Sequence, residues 1–490
     1  MLSDTMPEII NVEAIWQERL KTALWQEAAK LKGKRVLCAH NVVIDYLEFV
    51  NPEQISQLAV AHNAKEIREL SLKEVKEIDS PRKFLAALVR GMREGKAQHI
   101  ASHSPELFTW LDKTFAGPDK RRLGGQAGII ANQMAALKAK AIVVTPILSK
   151  DQAHLFLKEG VYSPVVKGKN VKYENVRNAW RKGDPTKINW IFEFRHGSTI
   201  RVHGETITAP RANRLIVASA ATYVPTFAQD IIRALPGMGK NLDAAMVAGY
   251  HHFEPVQEGR SYRFYLKQEC LALQKLKQQN KSLMVHFEYV PMEHKEIERD
   301  VITQIASAAG SLGINEVEIL EVLELLGCQK EAHAIKKNES ALTLYHGAKR
   351  LLDKLKLRRV HVHAFGYFVI VLRKPYRVLP DRVRDACLFA NCVANVKALT
   401  GKTVSLEDLK ASKIEDIAIS AAGINQLRSF AGAMAFEYKK AFNHAGFLRE
   451  GTAEFKDHYV IVVPAQLVSR PVSTVGLGDV ISACSLVAET

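Results

Sequence analysis

Among the chain's 490 residues there are six cysteines, at 38, 270, 328, 387, 392 and 484, and no Cys-x-x-Cys pair. That spacing excludes the common zinc folds and a disulfide framework, so the cysteines read as reduced core residues. No segment approaches the roughly 20 apolar residues of a membrane span, and residues 1–11 are acidic and polar rather than an apolar leader. A cytoplasmic protein with no membrane partner is expected. Tandem repeats and low-complexity tracts are also missing. So are three familiar catalytic loops. Pro236-Gly237-Met238-Gly239-Lys240-Asn241 lacks the Ser or Thr that completes a Walker A loop, no G-x-S-x-G elbow occurs, and the protein-kinase signatures are absent.

Acidic residues are in deficit, 52 against 68 Lys and Arg, for a net charge of +16. Such an excess suits anionic partners. The basic residues are mostly dispersed; the densest run, residues 167–187, interleaves Tyr173 and Trp180 and reads as a solvated loop and helix face. With no aromatic-basic recognition motif, nucleic acid is not expected as a partner. A hydrophobic content of 47% supports a large core.

The pattern along the chain is α/β. Trp16, Leu20, Leu24, Ala28 and Leu31 recur at helical spacing over residues 13–32, and a strand begins at Arg35 that runs into His40-Asn41-Val42-Val43-Ile44-Asp45. Polar groups just beyond a buried strand mark the ligand-bearing edge of an open α/β sheet. Leu123-Gly124-Gly125-Gln126-Ala127-Gly128 opens a helix of small residues, and residues 141–146 form a strand. Residues 244–249, 283–289 and 360–372 are strand-like, with helices around 261–279, 294–309, 315–326 and 341–355. This alternation predicts a mainly parallel central sheet with helices on both faces. One region departs from it: residues 189–194, 199–207 and a strand from Leu215 read as a small antiparallel sheet, suited to act as a lid.

Near the C-terminus, Thr474-Val475-Gly476-Leu477-Gly478-Asp479 lies between an apolar strand and an apolar helix. Two glycines flanking one residue allow successive N–H groups to converge on an anion, and the helix adds its positive end. Asp479 can accept a proton from an attacking hydroxyl, so the loop combines an anion hole with a general base, as phosphoryl transfer to an alcohol needs. The same residues also suit an ordinary helix cap. His286-Phe287-Glu288 ends a strand with imidazole and carboxylate on one face, and Glu288 can hold Mg2+ directly or through water. In Val360-His361-Val362-His363-Ala364-Phe365-Gly366-Tyr367, the His-x-His pair has no third metal ligand at recognisable spacing; His363 and Tyr367 can wall a nucleobase pocket or serve core packing.

Gly-Gly-Gln-Ala-Gly at 124–128, His-Phe-Glu at 286–288 and Thr-Val-Gly-Leu-Gly-Asp at 474–479, together with Ala209-Pro210-Arg211-Ala212-Asn213-Arg214, resemble the ADP-dependent phosphofructokinase and glucokinase family of archaeal-type sugar kinases. The resemblance spans essentially the whole chain. It implies a ribokinase-like fold, with a large core at 1–40, 70–95, 120–155 and 215–490, and a discontinuous small lid at 41–69, 96–119 and 156–214. It also implies ADP as phosphoryl donor with Mg2+, and AMP as product. By that likeness Asp479 is the base, the Gly476–Asp479 amides with Gly478 form the anion hole, and Glu288, in one motif with His286, organises the metal. Asp45, Gly125 and Gln126 hold the sugar. Arg211 reaches the phosphates from the lid, and His363, Tyr367, Val462 and Val463 wall the nucleotide. Gly95-Lys96-Ala97-Gln98-His99 lacks the glutamate that glucose-using members carry, and Val43 replaces an Asn found two residues before the sugar-binding Asp. Fructose 6-phosphate is therefore the expected acceptor, with glucose, or both sugars, as the alternative. Lys169, Lys172, Asn189, Arg201 and Arg211, on or beside the lid, are candidates to anchor the sugar phosphate.

Overall fold

The computed structural model describes residues 10–117, 120–168, 170–220 and 223–490. Lys169 and residues 1–9, for which expectations were stated above, lie outside the described residues. An eleven-stranded sheet organises the larger body. From one edge it runs Thr452–Glu454, His458–Pro464, Tyr367–Arg373, Arg359–Ala364, Gly310–Asn315, Met284–Glu288, Ala244–Val247, Arg35–Ala39, Lys140–Val144, Val161–Lys167 and Asn170–Asn175. The strands from Arg359–Ala364 through Val161–Lys167 are parallel, and pairing turns antiparallel at both edges. Every residue of Ala244–Val247 and Met284–Glu288 is buried. Since successive residues point to opposite faces, both faces of the sheet are covered, which is the condition under which parallel sheets are stable.

A second body has its own apolar core. Its five-stranded sheet runs Gln98–Ser102, Asn213–Ser219, Ile188–Phe194, Val43–Phe49, Arg121–Gly124. One face, carrying Trp190, Phe192, Leu215 and Val217, packs on helices Pro52–Ala61, Ala64–Ser71, Pro81–Glu94 and Pro105–Phe115. The other face carries Asp45, Asn189 and Ala218, which are register partners. Arg214, four residues before Ala218, is on that face too.

Several boundaries differ from expectation. The predicted antiparallel sheet is mixed, and it recruits Val43–Phe49, Gln98–Ser102 and Arg121–Gly124. Residues 199–207 instead form a separate ribbon, Thr199–Val202 with Glu205–Thr208, because the chain reverses at His203 and Gly204, both at positive φ. Residues 360–372 are a hairpin turned at Phe365-Gly366, where Gly366 has φ 89°. Helix Pro81–Glu94, grouped above with the larger body, belongs to the second core, where Phe84 meets Phe192 at 4.7 Å. Conversely, Val161–Lys167 and Asn170–Asn175, grouped above with the lid, form the edge of the large sheet. Strand Gly310–Asn315 was not anticipated. All six cysteines are free, five of them buried. Among the described residues, no helix is long and apolar enough to cross a membrane.

Candidate active site

Gly476 takes a left-handed conformation, φ 67°, at the start of helix Leu477–Ala488, and no side chain caps that end. The first amides of a helix have no intrahelical acceptor, so those of Leu477, Gly478 and Asp479 are available to an anion. Positive φ and a close neighbour require glycine at Gly476, and the fit at Gly478 is tight. A Cβ on Gly476 would lie 2.7 Å from Ile129 Cδ1 and 3.2 Å from Asp479 Oδ2; one on Gly478 would lie 3.1 Å from His363 Cε1 and 3.5 Å from Glu288 Oε1. The half-buried Asp479 carboxyl is pushed up to about 7 by burial and by the charge of Glu288, against the pull of His363 and Lys397.

The turn thus abuts a carboxylate held by two imidazoles. Glu288 ends its strand with Oε2 at 3.0 Å from His286 Nε2 and Oε1 at 3.1 Å from His363 Nε2, while His286 Nδ1 is 2.7 Å from Ser311 Oγ. Burial alone would raise the Glu288 carboxyl, but the two imidazoles hold it far below the usual range. Burial alone would lower His363, yet Glu288 keeps it above its ordinary value. Gly313 on the adjacent strand leaves room for the group: a Cβ there would run into Glu288 Oε2, with His286 Nε2 at 2.5 Å and Ser482 Oγ at 2.9 Å. Glu318 adds a carboxylate that sequence reasoning missed. Burial pushes it up to about 7, with Glu288 and His363 among the charges it feels. Its signal was the Asn315-x-x-Glu318 box, in which Glu318 Oε2 accepts from Asn315 N at 2.9 Å. Mg2+ commonly takes one or two carboxylates and completes its shell with water and substrate phosphates. Glu288 and Glu318 fit that pattern, and among the described residues no group of three or more protein ligands surrounds a metal position.

On the lid side, Asp45 accepts from Asn189 Nδ2 at 3.0 Å, and burial raises its carboxyl to about 6. Gly124, register partner of Val43 on the next strand, must be glycine, because a Cβ there would collide with Asp45 Oδ2. Gly125, at φ 73°, begins helix Gln126–Ala136, and Asn41 O accepts from Ala127 N at 3.0 Å, so this helix end is already occupied. Gln126 Oε1 accepts from Asn41 Nδ2 at 2.8 Å, and Asn41 Oδ1 accepts from the Tyr223 hydroxyl at 2.6 Å. A small cavity of about 40 Å³ joins Asp45 to Ile129, Arg122, Lys397, Ser473 and Val475, and so bridges the Val43–Phe49 strand and the segment leading into the Gly476 turn. A separate, larger cavity of about 870 Å³ lies between the two bodies, lined by His99, Ala101, Lys187, Ala218, Tyr223 and His252 among others. Burial lowers the Lys187 ammonium to about 8.

Other candidates fall elsewhere. Arg211 is exposed and donates to Gly95 O at 2.7 Å, whereas Arg214 is the arginine on the Asp45 face, close enough to lower the Asp45 carboxyl. Lys172 is exposed on the edge of the large sheet and paired with Glu174 at 3.2 Å. Arg201 is on the ribbon, where its amide donates to Ser56 Oγ at 3.0 Å. Tyr367, Val462 and Val463 are buried within the sheet because Tyr367–Arg373 is flanked on both sides by paired strands, and the Tyr367 hydroxyl donates to Glu339 at 2.8 Å. Of the expected nucleotide wall, only His363 is partly open, with Phe365 exposed at the hairpin tip beside it.

Relatives place this arrangement in context. The chain is 31% identical over 480 residues to an ADP-specific phosphofructokinase of Methanosarcina acetivorans, with 96% of each chain covered. It is 30% identical over 457 residues to an ADP-specific phosphofructokinase of Thermococcus kodakarensis, covering 92% of this chain and 95% of that one. Its structure matches a solved ADP-dependent kinase in complex with fructose-6-phosphate and ADPbetaS at TM-score 0.82 and 32% identity, over 97% of both chains. The family model for the ADP-specific phosphofructokinase/glucokinase conserved region matches residues 34–488, and the chain belongs to that family.

Proposed function

We propose that the protein is a cytoplasmic ADP-dependent 6-phosphofructokinase, transferring the β-phosphoryl of MgADP to the 1-hydroxyl of fructose 6-phosphate to give fructose 1,6-bisphosphate and AMP. The observation that carries this reading is the uncapped helix start at Gly476–Asp479, which sets a carboxylate of raised proton affinity beside three available amides and next to the Glu288–His363 pair. Asp479 takes the proton from the sugar hydroxyl as that oxygen attacks phosphorus, and the amides stabilise the phosphoryl oxygens. Positioning and charge stabilisation supply most of the rate, because a phosphoryl group in transit asks for little covalent help.

Asp45 and Asn189 bind sugar hydroxyls from the lid, with Gly125 and Gln126 at the start of the adjoining helix as further sugar ligands. Arg214 replaces Arg211 as the lid arginine directed at the phosphates. Bound Mg2+, held through Glu288 and Glu318, would neutralise part of the charge on the transferring group. Lys187, in the wall of the larger cavity with its ammonium 5.5 Å from the Tyr223 ring centroid, is better placed to receive the sugar phosphate than Lys172 or Arg201, because a buried ammonium binds a phosphate more strongly than a solvated one. His363 and Phe365 present the nucleotide side. A coupled assay with ADP or ATP against fructose 6-phosphate and glucose tests the proposal. ADP with fructose 6-phosphate should give the highest kcat/KM with AMP released; a higher kcat/KM for glucose, or a requirement for ATP, overturns it.

A further inference from the structure

Lys397 lies near the end of helix Pro380–Thr400, and its half-buried side chain lines the small cavity between Asp45 and the Ser473–Val475 stretch. Its helix is tied to the catalytic turn: Ala398 O accepts from Val472 N at 2.7 Å and from Ser473 N at 3.4 Å, and Gly401 lets Val472 and Ser473 pack against it. The lid reaches the same turn of helix, where Arg122, register partner of Asp45, donates to Gly401 O at 2.8 Å. Val475 and Ile129 line this cavity, and a Cβ on Gly476 would lie 2.7 Å from Ile129 Cδ1, so the cavity ends beside the turn that carries Asp479. Among the described residues, Lys397 has neither a hydrogen-bond nor an ion-pair partner, while Arg122 adds a second positive charge to the same wall. Asp45 lines the same cavity and the charge of Asp479 acts on Lys397, but neither carboxyl bonds its ammonium, so a phosphate can reach this partly desolvated cation without displacing a partner.

We propose that Lys397 is a further catalytic residue, whose ammonium meets the phosphoryl group as it passes from the nucleotide to the sugar. This rests on the phosphofructokinase reading. The bond from the bridging oxygen to the β-phosphorus breaks with its electron pair left on AMP, the sugar O1 bonds to that phosphorus, and the O1 proton goes to Asp479. Lys397 stays protonated throughout and binds the charge spread over the equatorial oxygens. Loss of Asp479's charge to the incoming proton is thereby matched by a cation already in place on the phosphoryl side. Burial lowers the Lys397 ammonium and Asp479 raises it, so an arriving phosphate favours its charged form further.

Steady-state kinetics of Lys397→Met and Lys397→Arg with ADP and fructose 6-phosphate test the inference. The Met variant should lose about a hundredfold in kcat, with KM for both substrates within about threefold of the parent, and the Arg variant should recover most of the loss. A kcat within about threefold of the parent, a loss confined to KM for fructose 6-phosphate, or an Arg variant no better than Met overturns it. Melting curves with and without ADP check folding, and Lys397→Gln, which keeps the apolar stem and a donor, carries the same reading if the Met variant is unstable. A parent silent with ADP and fructose 6-phosphate sinks the functional reading itself, whereas an active parent with unaffected variants sinks only the role of Lys397.

Discussion

At the scale of single residues, the site depends on carboxyls whose proton affinities have been pushed apart. Glu288 is held ionised by His286 and His363, while Asp479, which feels the charge of Glu288, is raised to about 7. A base must be ionised to accept a proton, and a raised carboxyl ionises only above its own value. Consequently kcat/KM for fructose 6-phosphate, which reports the free enzyme, should fall as pH drops through about 7, approaching tenfold per pH unit below it. A flat profile between pH 5.5 and 7.5, on the order of two units wide, would contradict this assignment. Asp479, Glu288 and Asp45 were legible in the sequence because each belongs to a local motif whose spacing fixes its geometry. Arg214, Lys187, Lys397 and Glu318 were not, because what they face is decided by pairings far along the chain. Arg211 and Arg214 are three residues apart in one basic segment; strand register places Arg214 on the Asp45 face, while a loop turns Arg211 to Gly95.

At the scale of elements, the site is assembled where strands approach each other through glycine. Gly313 in strand Gly310–Asn315 leaves space for Glu288, His286 and Ser482 on its neighbours. Gly313→Ala should therefore displace Glu288 and lower kcat by at least about tenfold, while thermal melting shows that the fold persists; turnover matching the parent would contradict the packing. This strand escaped sequence reading because Gly-Ser-Leu-Gly-Ile-Asn has low strand propensity, and its place is set by burial between two parallel strands. The hairpins at His203-Gly204 and Phe365-Gly366 were missed for the opposite reason. Their flanks are so strongly strand-like that residues 199–207 and 360–372 each read as one continuous strand, and positive φ is what turns the chain there. Long helices and all-buried strands were legible, since periodicity and apolar runs are local signals.

At the scale of the whole molecule, two apolar cores meet along the sheet's C-terminal edge, and the cavities between them carry the proposed chemistry. The larger core is tied to the chain's end by a buried ionic cluster. Glu489 accepts from the Tyr376 hydroxyl at 2.6 Å and lies 3.5 Å from Arg359, with both Glu489 and Arg359 fully buried. Removing one partner leaves a buried charge uncompensated, so Glu489→Ala should cost about 3–5 kcal/mol of stability in chemical unfolding. A loss below about 1 kcal/mol would show that the cluster is not needed. The boundary between the two bodies was the least legible feature, because helix Pro81–Glu94 and strands Val161–Lys167 and Asn170–Asn175 carry no compositional mark of the core they join. The central claim remains that the Gly476–Asp479 turn performs phosphoryl transfer, and turnover of Asp479→Ala with ADP and fructose 6-phosphate tests it most directly. The predicted result is a loss of at least about a hundredfold in kcat with ADP binding retained, and more than about a tenth of the parent kcat surviving would contradict it.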